Sequence, residues 1–116
     1  MLFMIIIKGS KRSEAGVFPS EILRLAMDHY NDQLVETSVR IMAKGLHPIS
    51  SGIRLSFIHP GEKPLITHGP FEDPNSLVAG FFLIEVESKE EAIYWALKAP
   101  DPQGHGEGQI ELRQVY

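Results

Sequence analysis

The groups in this chain best suited to moving a proton are imidazoles and carboxylates, since a free imidazole titrates near pH 6.5. Five histidines are present: His29, His47, His59, His68 and His105. His68 is the leading candidate for a general acid/base. It ends a short run of strand-like residues directly before Gly69-Pro70, which places it at the mouth of a cleft. Asp73, five residues further round that loop, is positioned to orient the ring or share its proton. His47, in Leu46-His47-Pro48, is a weaker candidate for the same pocket. His29 lies beside Asp28 and Asp32 on a helix and reads as a surface or core-edge residue, and His59 precedes a Pro-Gly turn and reads as exposed.

Other chemistries find less support. Gly104-His105-Gly106-Glu107-Gly108 offers backbone N–H groups that could meet an anion. No lysine or hydroxyl follows as in a P-loop, and the segment leads into a strand rather than a helix, so it reads as a flexible lead-in. His47, His68, Asp73 and His105 lack the close spacing of a metal-ligand set, and no metal or cofactor is expected. A G-x-S-x-G elbow is missing as well. With no cysteine, thiolate metal sites, disulfides and cysteine nucleophiles are excluded. Eleven Lys+Arg against fifteen Asp+Glu give a net charge of −4, which argues against a general nucleic-acid or anionic-membrane binder. Tyr94 and Trp95 accordingly read as packing residues rather than a platform for bases.

These groups need a scaffold, and 116 residues with 43% hydrophobic content suit one domain, spanning 1–116. Met1 to Ile7 is apolar but ends at Lys8, too short for a membrane span and lacking the parts of a secretory signal, so it reads as a buried first strand of a cytoplasmic protein. Residues 9–17 read as a loop. Pro19 opens a helix whose apolar positions, Ile22, Ala26, Tyr30 and Leu34 with Leu23 and Met27, continue the helical reading to about Lys44, with Gly45 as its cap. Ile53, Leu55 and Phe57 alternate with polar residues, and His59-Pro60-Gly61-Glu62 suits a type II turn, so a hairpin returns through Lys63 to Thr67. Pro60 and Pro64 make it an edge or projecting hairpin. Ala79 to Val86 is a strand, Ser88-Lys89-Glu90-Glu91 a capping box opening a helix that ends near Lys98, and Gln109 to Val115 the last strand.

That order predicts an α+β, ferredoxin-like fold: a split βαβ with an inserted hairpin, an antiparallel sheet and two helices on one face. The first strand and the strand at Ala79 to Val86 are apolar on both faces, yet the helices cover only one. At roughly 25 cal/mol per Å², leaving the second face in water costs several kcal/mol. Either a second copy packs on it by two-fold symmetry, making a homodimer, or loops 45–52 and 99–108 fold over it.

Three segments then resemble a known family. Thr67-His68-Gly69-Pro70-Phe71-Glu72-Asp73 is similar to the T-D-G-P-F-x-E signature of the DGPF subgroup of YCII-related proteins. Ala79 to Val86 resembles the strand that follows it, and Gly108 to Val115 the closing G-x-[IV]-E-[VL]-R-x-V strand. The resemblance implies a ferredoxin-like fold assembled as a dimeric α+β barrel through sheet-to-sheet packing. In the broader group it also implies a histidine–aspartate pair in the cleft, and for some members an association with sigma-factor systems. The chain departs from the pattern where His68 stands in place of the aspartate that names the motif, while Asp73 is retained. Two functions follow as expectations: a small-molecule pocket with His68 and Asp73 in acid–base roles, or a non-catalytic dimer that binds a ligand or protein in regulation.

Overall fold

A computed structural model describes residues 1–15, 19–71 and 77–116. The main sheet has four strands in the order β2-β5-β1-β6, where β1 is Leu2–Lys8, β2 Arg40–Gly45, β5 Val78–Glu85 and β6 Ile110–Val115. All neighbouring pairs are antiparallel. Strands β3 (Ile53–Ser56) and β4 (Leu65–His68) form a separate two-stranded ribbon. A one-turn helix α1 (Lys11–Glu14) precedes α2 (Glu21–Glu36), and α3 (Lys89–Lys98) joins β5 to β6. The class is α+β, as the sequence predicted, and the strand order is that of the ferredoxin-like arrangement. No helix among the described residues is long and apolar enough to cross a membrane.

The pleat decides which residues become core. Phe3, Ile5 and Ile7 of β1 alternate with Leu2, Met4 and Ile6, and only the first set is buried, together with Phe82 and Ile84 of β5. Tyr30 and Leu34 from α2 and Ala92 and Trp95 from α3 pack onto that face. Tyr30 meets Phe82 edge-to-face at 5.3 Å between ring centroids, and its hydroxyl donates to the Trp95 carbonyl at 2.7 Å. The opposite face carries Met4 opposite Leu83 and Ile6 opposite Phe81, all half-buried. The two loops that were candidates to cover it are engaged elsewhere. Gly104 of the later loop approaches Leu23 of α2, and Ile49 of the earlier one donates its N–H to Glu14.

One sequence expectation is corrected. The first long helix does not reach Lys44; it stops at Glu36, and Arg40–Gly45 is an edge strand on β5. The stop is a Schellman-type ending: Val39 N–H donates to the Leu34 carbonyl and Ser38 N–H to that of Val35, with Ser38 at φ 60. Serine occupies the left-handed position usually held by glycine, which is why no stop signal is visible in the sequence. Of the apolar positions read on this helix, Leu23, Tyr30 and Leu34 are buried while Ile22 faces outward.

Of the other local expectations, the type II turn and the Ser88 cap hold. Glu62 N–H donates to the His59 carbonyl, and Gly61 takes φ 77, the second central position of a type II turn. Ser88 caps α3 by accepting from Glu91 N–H, while the Glu91 carboxylate accepts from Glu87 N–H rather than from Ser88. The segment read wholly as loop at residues 9–17 contains α1, whose Ser10 and Ser13 form a reciprocal capping pair.

Candidate functional site

The Gly69-Pro70-Phe71 turn sits where β4 returns to the body of the domain. Its Gly69–Pro70 peptide is cis, and Gly69 N–H donates to the Gly52 carbonyl at 2.8 Å. A side chain at Gly69 would collide with the Ile49 carbonyl, so the turn and the short 3-10 segment Ile49–Ser51 are in direct backbone contact. Phe71 is held from above by the Arg54 guanidinium, 4.2 Å from its ring centroid.

Beneath this turn lies a cavity of about 480 Å³, within the usual range for small-molecule pockets. Pro70, Phe71, Leu77 and Ile49 supply its apolar wall, and Lys11 and Glu14 of α1 its charged rim. Glu14 also holds the structure together here, because its Oε2 accepts the Ile49 N–H at 2.6 Å and so ties α1 to the 3-10 segment. Sequence reading missed this residue; the Ser10-x-x-Ser13 cap marks the start of α1 but not the contact that Glu14 makes. Glu14→Ala should leave the Ile49 N–H without its acceptor and cost about 1–3 kcal/mol, whereas Glu14→Gln, which keeps an acceptor, should cost less. Urea unfolding and the exchange rate of the Ile49 amide measure both.

His68 lies at the end of β4, paired across the ribbon with Ile53, and its side chain is exposed. His47 is exposed in the link between β2 and the 3-10 segment. Among the described residues no hydrogen bond or ion pair joins the two. Asp73, expected to orient His68, and the neighbouring Glu72 lie outside the described residues. No cluster of three or more His, Asp or Glu residues suited to a metal ion occurs among the described residues.

The glycine-rich segment before β6 is occupied by the chain itself. The Asp101 carboxylate accepts from Gln103 N–H at 2.9 Å and from Gly106 N–H, and the Asp101 carbonyl accepts from Gly104 N–H at 3.0 Å. The Gln103 hydrogen bond in particular, aided by those from Gly106 and Gly104, holds the Asp101 carboxyl below its ordinary pKa. A second cavity of about 420 Å³ lies between this loop and the start of α2, lined by Lys8, Ser10, Ser20, Leu23 and His105 among others.

The family model described as the YCII-related domain matches residues 1–116, the entire length of the sequence. The chain therefore belongs to the YCII-related family. No curated protein matches it.

Proposed function

We propose that this YCII-related chain is a homodimeric small-molecule-binding protein of the DGPF subgroup, working in the cytoplasm. Its ligand occupies the cavity under the Gly69-Pro70-Phe71 turn, and His68, two residues before Pro70 in the chain, exchanges a proton with it while Asp73 orients the imidazole. His47 is a lesser contributor to the same chemistry. The observation that carries this reading is the cavity itself, because the residues of the family-like motif form its wall. Its chemistry suits a ligand with an apolar body and one ionised head, since the wall is apolar and the rim carries Lys11 and Glu14. Dimerisation uses the sheet face of Leu2, Met4, Ile6, Phe81 and Leu83, which no helix among the described residues covers.

The test is an NMR titration with aromatic and aliphatic carboxylic acids and amines as fragment probes. Binding should shift the Phe71 and Leu77 side-chain resonances and move the midpoint of the His68 ring titration. Fragments that leave Phe71 and Leu77 unmoved would remove the pocket.

One observation favours a second reading, a non-catalytic dimeric binding module with a regulatory role. His68 is exposed and shares a side of the ribbon with Ile53, opposite to that of Arg54. Under that reading His68→Asn binds the fragments with unchanged affinity and unchanged pH dependence.

A further inference from the structure

The ribbon formed by β3 and β4 carries six large apolar side chains that water reaches freely. Ile53, Leu55, Phe57, Ile58, Leu65 and Ile66 are each between 51% and 77% exposed. The register separates them by face. Leu55 lies opposite Ile66 and Ile53 opposite His68, so these share one side, and strand alternation adds Phe57 to it. Arg54 and Thr67 share the other side, and Arg54 is drawn onto Phe71. Both sides of the ribbon are open, Leu65 on the Arg54 side included, and the Ile53–Leu55–Ile66 side is the more apolar of the two.

Among the described residues the ribbon makes no ladder pairing with the main sheet. The molecule is correspondingly long, 47 × 34 × 20 Å, with a radius of gyration of 16.1 Å. A compact chain of this length would have roughly 13 Å. An isolated two-stranded hairpin is at best marginally stable in water, so a ribbon of this kind needs something to lie against.

We infer that the occupant is a second copy of this chain, and that each ribbon acts as an arm clasped along the partner's β2 edge. This rests on the homodimer reading above and adds to it the element that locks the pair. Two observations support that choice. First, four apolar residues at roughly 100 Å² each, matched by an equal covered area and repeated by a two-fold axis, bury about 1,600 Å², the size of a standard stable interface. Second, the same chain carries a fitting receptor. Ile41, Met42 and Leu46, on or directly after the edge strand, are each about half exposed, and Met42 pairs with Leu83 on the uncovered sheet face. A two-fold assembly in which arm meets edge strand is self-complementary and closes without leaving a free copy of either surface.

The absence of cysteine makes the test direct. Leu55→Cys and Met42→Cys are made as separate single variants, mixed, and treated with a short bismaleimide. The arm-to-edge contact predicts a covalent heterodimer in the mixture. In parallel, Leu55→Glu/Ile66→Glu should raise the dimer dissociation constant by about 100-fold or more while leaving the circular dichroism of the chain unchanged. If ultracentrifugation shows a dimer that survives this double substitution and the mixture does not cross-link, the arm inference falls and the sheet-to-sheet dimer stands. A wild-type chain that sediments as a monomer at micromolar concentration overturns both, and leaves the arm as a surface for a different protein.

Discussion

Gly69→Ala is expected to destabilise the turn by more than about 3 kcal/mol, a loss in the class produced by steric conflict at a special backbone position. The added Cβ would overlap the Ile49 carbonyl oxygen and stand 2.8 Å from its carbonyl carbon. Both are main-chain atoms, so no side-chain rotation relieves the clash. Either the turn or the 3-10 segment must move, and each is a wall of the 480 Å³ cavity. Hydrogen exchange at Gly69, whose N–H is bonded to Gly52, should accelerate strongly, and fragment binding in the cavity should disappear. Gly61→Ala is the control. Gly61 has φ 77 but nothing within 4 Å of the new methyl, so it should cost only about 1–2 kcal/mol of left-handed strain and leave the cavity intact. Equal losses for the two variants would show that crowding at Gly69 is not what shapes the turn.

The second large effect lies in the core and appears only at high pH. Tyr30 is 2% exposed, and burial pushes its phenol up to about 12 from an ordinary value of 10.0. In the unfolded chain the phenol ionises near pH 10, while in the folded chain it stays protonated. Its stabilising contribution is therefore complete below pH 10 and is lost as the pH rises through 12, for a total of about 3 kcal/mol. Urea unfolding of the wild type between pH 9 and 12 should show this slope, and Tyr30→Phe should lack that part of it. The same variant should be less stable at neutral pH by about 1–3 kcal/mol, because the Trp95 carbonyl loses its donor. That carbonyl lies in the last turn of α3, where acceptors have no intrahelical partner, so one phenol joins the two helices and completes a helix end. Parallel pH curves for the two proteins would refute this account.

The parts of the fold that were legible in the sequence are those where local and tertiary preferences agree. The segment 79–86, read as a strand from its aromatic and aliphatic residues, coincides to within one residue with β5, Val78–Glu85, and its two faces are as read. Ser88 and Pro100 delimit α3, and Pro60-Gly61 gives the ribbon its turn. Strand β2 was illegible for a physical reason. Met42, Ala43 and Lys44 are good helix formers, and only pairing with Phe81, Phe82 and Leu83 makes them a strand. The site was legible in part. His68 stands at the end of its strand as expected, but the contribution of Glu14 depends on a contact 35 residues away in sequence, which no local pattern announces. The sequence pattern also left undecided whether His47 approaches His68, and in the described residues the two are not bonded.

The segment before β6 shows what a glycine pattern can conceal. Three of its amides, those of Gln103, Gly104 and Gly106, are satisfied from within by Asp101, so these three are already committed before any anion arrives. Self-ligation of this kind gives the approach to the closing strand a fixed course, held by one carboxylate and its own carbonyl.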